Sequence, residues 1–309
     1  MARTILIDDG VVVDALKHLP RAALLGHSGR SFVEHLLCTW RILADWRMPR
    51  AVCRAGFMHS AYSTSFYPHA LFRLDERTRL RQLIGREAEE LAFRFCTMDR
   101  RGFWDQLVIR RPRPVLSYAD RLRPGARVRV DRQTLTRLLI IESANIAEQS
   151  KADDGGPSPW MSRVLRWWEY LDERSLPRGF RHRPTLSRRA DEAAIEAYRR
   201  ALTLPRTKAV RLLQWGIEQN PWAGEPRILR ALCLRECGES AEAGLGARAG
   251  ADLLSMWGAA WDKRLSANAW KALAARIQSG AARRRSAADY RFVCAALARP
   301  TDRPKWLNV

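Results

Sequence analysis

Ser31-Phe32-Val33-Glu34-His35-Leu36-Leu37-Cys38-Thr39-Trp40-Arg41-Ile42-Leu43-Ala44-Asp45-Trp46 is the stretch whose reading decides the fold. Phe32, Leu36, Trp40 and Leu43 recur at helical spacing and form one apolar stripe. Ser31 and Glu34 fit the N-cap and N3 positions of a capping box. The stretch therefore predicts a helix to about Trp46. Pro49 stands where a first-turn proline belongs and opens a second helix, Arg50 to about Ser60. Asp75 caps a third, short segment. Gly85 precedes a fourth helix, Arg86 to about Met98. Residues 107–131 are rich in Pro, Arg and β-branched side chains and read as a loop with an irregular ribbon. Asp131 caps a long helix that runs to about Gln149.

Beyond it the helical pattern continues. Lys151-Ala-Asp-Asp-Gly-Gly-Pro-Ser-Pro159 has the composition of a linker, and a tryptophan-rich helix follows from Trp160 to Leu171. From Asp191 onward helices of roughly 12–16 residues return. Ala193, Tyr198, Ala201 and Leu202 resemble half of a tetratricopeptide-type unit. Glu225 to Cys237 and Ala241 to Met256, joined by Gly238-Glu239-Ser240, make a second helix–turn–helix, with small residues where paired helices approach. The expected architecture is all-α. An HD-like helical domain would occupy residues 1–150, a linker and Trp-rich helix 151–190, and a helical-repeat-like domain 191–309.

Composition narrows the function. The 309 residues carry 54 Lys+Arg against 33 Asp+Glu, a formal +21, and 47% of residues are apolar. A disordered polyelectrolyte is excluded, and a sizeable core is affordable in length. The first 100 residues are nearly balanced, so the excess sits in the later two-thirds. It is almost wholly arginine, which attracts polyanions. Yet no helix-turn-helix, zinc finger or aromatic-plus-basic stacking strand is present, so nucleic acid is not the expected partner. No apolar run reaches membrane-spanning length, and Asp8 and Asp9 interrupt any signal-peptide core. Six scattered cysteines form no Cys-x-x-Cys pair and read as reduced thiols, which predicts a cytoplasmic protein.

The chemistry-bearing residues lie in the first half. His35 and His59 stand on successive predicted helices, with His27 just upstream. Ala51 and Ala55 share a stripe with His59 and leave room for a neighbouring backbone. Two antiparallel helices would therefore bring His35 and His59 face to face. Each histidine is a metal ligand, a general base or a hydrogen-bonded core residue. On the long helix, Leu135, Leu138, Glu142, Asn145 and Gln149 share one face that turns from apolar to polar. Either that face carries polar groups inside, or the helix emerges into water. Asp99 ends the fourth helix and is either a third ligand or the partner of Arg100 or Arg101.

Gly26-His27-Ser28-Gly29-Arg30-Ser31-Phe32-Val33-Glu34-His35 and Ala55-Gly56-Phe57-Met58-His59-Ser60 resemble motifs of the HD-domain metal-dependent phosphohydrolases. Within them the similarity is greatest to the hydrolase domain of the alarmone (guanosine tetraphosphate) synthetase/hydrolases, over roughly residues 20–150. Leu83 to Leu91 takes the place of that family's Phe-Gly-x-x-Val-x-x-Leu segment, and Leu139 to Asn145 that of its last ligand helix. The chain as a whole resembles a bacterial family carrying such a region in degenerate form. Its C-terminal helices include Asn220–Pro226 and Trp257–Arg264. The resemblance implies a divalent metal (Fe, Mn or Zn) held from among His35, His59, Asp99, Asn145 and His27. It further implies Ser60, Thr64 and Glu142 in substrate contact or catalysis, and a small anionic phosphoester or nucleotide as substrate. The family's His-Asp is His59-Ser60 here, its acidic pair falls on Ser63 and Thr64, and its final Asp is Asn145. Such a site loses the charged oxygen ligands divalent cations favour. Three functions follow: a metal-dependent hydrolase with a rearranged site, a mononuclear iron oxygenase using two histidines and a carboxylate, or a non-catalytic module whose C-terminal helices recruit a protein partner.

Overall fold

A computed structural model describes residues 9–17, 26–27, 30–105, 116–181, 185–279 and 293–297. The chain divides into two compact units. The first comprises Met1–Asn145 and Glu169–Arg181, the second Ile146–Trp168 and His182–Val309. The fold is all-α apart from two small antiparallel ribbons among the described residues. Residues 151–190 fall partly in the second unit and partly in the first. The Trp-rich helix lies in the second unit, where Trp160 and Trp168 pack on Trp257 beside buried Met161, Val164 and Leu165, and 169–181 lies in the first.

In the first unit, helix α1 is Gly10–Lys17. Strands β1 (Gly26–His27) and β2 (Arg30–Ser31) form a ribbon that leads into α2, Phe32–Asp45. Then come α3 (Arg50–Phe57), α4 (Arg77–Ile84) and α5 (Arg86–Thr97). Strands β3 (Leu116–Ala119) and β4 (Arg127–Val130) pair in register Leu116↔Val130. Helix α6, Arg132–Gln149, follows. The expected helices at 32–46, 86–98 and 132–149 are present. The capping box at Ser31 is not: its side chain makes no cap hydrogen bond, and its backbone is extended and paired with Gly26 in the ribbon. Asp131 does cap α6, accepting from the Thr134 amide at 2.8 Å.

The core of this unit is built where α2 crosses α3. At that crossing Gly56 lies against the Leu43 side chain, which a Cβ there would overlap. Phe32, Leu36, Leu43, Phe57, Phe95 and Leu138 are fully buried around it. Such burial contributes roughly 1.5–3 kcal/mol per large side chain.

In the second unit, α7 is Trp160–Trp168 and α8 is Arg188–Ala201. Helices α9 (Arg206–Gln219), α10 (Glu225–Cys237), α11 (Ser240–Trp257) and α12 (Ala267–Gln278) follow. From α8 on, each helix packs on the next in sequence, the nearest-neighbour order of helical-repeat arrays. Gly224 meets the Gly250 carbonyl backbone to backbone, so α10 and α11 touch without intervening side chains. Trp160 and Trp168 both pack on Trp257, with ring centroids 4.9 and 6.0 Å away. No helix among the described residues is long and apolar enough to cross a membrane.

Candidate functional site

His35 lies in the first turn of α2 and His59 two residues past the end of α3. The Gly56 crossing brings these positions together. Both imidazoles are 1% exposed, and their Nε2 atoms are 3.1 Å apart. The rings stand nearly perpendicular, at 79°. His59 Nδ1 is 2.7 Å from the Gly56 carbonyl. A carbonyl only accepts, so Nδ1 carries the hydrogen and Nε2 presents its lone pair. His35 Nε2–H then donates to it. Cys96 Sγ–H donates to the His59 carbonyl at 3.2 Å, and Phe95 packs edge-on against the ring at 5.4 Å. The pair is thus fixed on several sides by core contacts.

This geometry can be tested against a divalent ion. Two histidine nitrogens at about 2.0–2.1 Å from one metal lie roughly 3 Å apart. The nitrogen separation matches, and an Nδ1–H bonded to a carbonyl is the usual support of a metal-ligating imidazole. The rest of the shell does not match. Among the described residues, no three His, Cys, Asp or Glu side chains are placed to hold a metal ion.

The other expected site residues explain why. Glu142 and Asn145 on α6 are buried, so the polar half of that face points inward and does not emerge into water. Glu142 pairs with the Arg100 guanidinium, the two side chains being 6% and 4% exposed. Asn145 Nδ2 reaches Glu142 Oε2 at 3.5 Å, while Asn145 Oδ1 and Arg100 Nε are buried without a partner among the described residues. Arg100 also stacks on Phe95, its guanidinium carbon 4.2 Å from the ring centroid. One aromatic ring therefore contacts both His59 and Arg100. Asp99 turns to Arg101, 3.0 Å away, and to Ser65. The Arg101 hydrogen bond holds its carboxyl below the ordinary range. Thr64 Oγ1 accepts from the Phe66 and Tyr67 amides, which makes it a turn-forming group. Ser60 is buried, and its carbonyl accepts from the Ser63 amide. His27 lies in β1, and its side chain lies outside the described residues.

Two features were missed by sequence reasoning. Arg100 is the inward partner of Glu142, although its neighbour Asp99 is the carboxylate closest in sequence. Glu89, fully buried on α5, is held by Arg77 at 2.6 Å, Arg81 at 2.7 Å and the Tyr62 hydroxyl at 2.9 Å. Burial alone would raise its pKa, but these donors outweigh it and hold the carboxyl below the ordinary range. The only sequence signal was an acidic residue on the apolar stripe of Ala88, Leu91 and Ala92.

Residues 17–100 match the family model described as a domain of unknown function, DUF6817. The matched stretch holds both histidines and ends at Arg100, leaving Glu142 and Asn145 outside it. No curated protein and no solved structure matches the chain.

Proposed function

We propose that the first unit is an HD-like helical module that binds a small anionic ligand and does not hydrolyse it through a metal. The observation that carries this reading is the neutralisation of both carboxylates expected to complete the site, Glu142 by Arg100 and Asp99 by Arg101. A divalent ion needs charged oxygen ligands or a third strong donor beside two imidazoles. Recruiting Glu142 would strand Arg100 as an unpaired buried charge, which is strongly unfavourable. The His35–His59 hydrogen bond then acts as a clamp between α2 and the end of α3. A mononuclear iron oxygenase needs the same third ligand and has the same difficulty. On this reading the protein is cytoplasmic, its cysteines are reduced, and its C-terminal helices meet a protein partner.

A hydrolase reading is favoured by the 3.1 Å nitrogen separation and the Nδ1–H support of His59. Metal analysis of protein purified without chelator separates the two. The binding-module reading expects less than about 0.1 metal ion per chain, unchanged in His59→Ala, because an incomplete ligand set binds weakly. Content near one ion per chain, lost in His59→Ala, would replace it with the hydrolase. Iron-dependent oxygen uptake would replace it with the oxygenase.

A further inference from the structure

At the far end of α2 from the histidines, the first unit holds a cavity of about 600 Å³. Eleven residues of helix separate His35 from Trp46, roughly 16 Å. The floor of the cavity is apolar: Trp46, Val52, Ile140 and Leu176 are buried. The rim is cationic. Arg47, Arg132, Arg174, Arg178 and Arg181 all line it, and none has a carboxylate partner among the described residues. The one acid on the lining, Asp172, spends an oxygen on the Arg174 amide. A sixth lining arginine, Arg137, is neutralised by Glu87 at 2.5 Å.

Elsewhere in the unit Arg54, Arg77, Arg81, Arg94 and Arg100 each meet an acid, while arginines without one, such as Arg121 and Arg127, bond to carbonyls and hydroxyls instead. Arginine is plentiful, but its convergence without counter-charge on one concavity is local. Like charges brought together are repulsive until an anion joins them. Arg47 adds a backbone oddity. It sits at the end of α2 with φ +56°, where its amide bonds to Ala44 and that of Met48 to Leu43. This is the Schellman position, which favours glycine. Helices α10 and α11 place Gly238 and Gly258 at their left-handed ends.

We propose that this cavity binds a phosphorylated small molecule of nucleotide size. Its phosphates would meet the arginine rim, and its apolar body the Trp46–Leu176 floor. One guanidinium grips a phosphate through two parallel N–H bonds, so five guanidiniums against one carboxylate suit a ligand with two or three phosphates. The volume falls within the roughly 300–1,000 Å³ of small-molecule sites.

The test is calorimetric titration of the full chain with ATP in chelator-containing buffer of about 50 mM salt, where charge effects are weakly screened. Chelator makes the outcome independent of any metal at the histidines. The expected Kd is below about 100 µM, an ordinary affinity for a few charge-assisted contacts. Arg174→Glu/Arg178→Glu should weaken it at least about tenfold, and Arg211→Glu in the second unit should not. Both rim positions are exposed, so the variant is expected to fold. Should its melting differ, Arg132→Gln takes its place with the same expected direction. Arg47→Gly should weaken ATP binding while raising the melting midpoint, a combination that a purely structural arginine would not give. No ATP binding below about 1 mM overturns the proposal, as does equal weakening by Arg211→Glu. So does a rim-dependent affinity for a single-stranded RNA where ATP shows none.

Discussion

Both units bury carboxylates, and they satisfy them in opposite ways. In the first unit the partners are cations: Arg77 and Arg81 on Glu89, Arg100 on Glu142. In the second unit the partners of two buried acids are dipoles. Asp191 accepts from the Ser162 amide at 3.0 Å and from Asn220 Nδ2 at 2.8 Å. Glu225 Oε1 accepts from the amides of Trp261 and Asp262, at 2.6 and 3.2 Å. A cation offsets the cost of burying charge, and a dipole does so only in part. Accordingly Glu89 is held below the ordinary range. Burial pushes Asp191 up to about 6 and Glu225 up to about 7. Asp262 shows that the second unit can also use a cation, since Arg264 donates to both its oxygens from one guanidinium edge, Nε at 2.9 Å and Nη2 at 2.6 Å. What differs is therefore the partner each site provides.

The largest expected effect comes from breaking a cation pair in the first unit. Arg100→Met leaves Glu142 buried without its counter-charge and should cost about 3–5 kcal/mol in chemical denaturation. The double variant Arg100→Met/Glu142→Leu should recover most of that loss, because replacing a whole buried pair by apolar groups is often neutral. A double variant as unstable as the single one would mean that the pair does more than neutralise itself.

Acidity provides the next contrast. In the first unit Glu89 has a lowered folded pKa, so the stability it adds is present above the ordinary carboxylate range and lost as pH falls through the folded value. In the second unit the raised acids behave oppositely. Their folded forms hold the proton more tightly, so stability is greatest at low pH and falls as pH rises from about 4 to about 7. The loss is on the order of 3 kcal/mol per group. Calorimetry at pH 5 and pH 8 should show the second unit melting lower at pH 8. Glu225→Gln keeps the acceptor for the two amides and removes one titration. It should raise melting at pH 8 and leave pH 5 nearly unchanged. A pH-independent transition would break the contrast.

The fold was legible because its signals are local. The spacing of Phe32, Leu36, Trp40 and Leu43, and the Asp131 cap, need nothing from distant chain. His35 and His59 were legible as a pair because two short helices with small crossing residues leave few other arrangements. Gly56 was not singled out as the contact, because several small residues offered the same opportunity. The charge pairing was not legible at all. With 48 arginines in the chain, sequence distance says little about which one meets a given acid. Asp99 and Glu142 show this most plainly. Adjacent arginines, Arg100 and Arg101, point to opposite sides of one turn, one inward to Glu142 and one outward to Asp99. Only the end of α5 and the position of α6 decide that split.

The same adjacent pair gives the smallest and most discriminating prediction. Arg101 is exposed and Asp99 half-buried, with side chains 68% and 29% accessible, while Arg100 and Glu142 are enclosed. Solvent screens the outer pair, and surface pairs contribute little. Asp99→Asn should therefore leave the unfolding free energy within experimental error, although Asp99 is one residue from an arginine whose loss is severe. The substitution also bears on the histidine pair. A carboxylate ligand converted to an amide would lose most of its metal affinity, so metal content and melting would both change in Asp99→Asn if Asp99 completed a metal shell. Insensitivity of both, beside a large loss in Arg100→Met, would locate the importance of this turn in its inward charge pair.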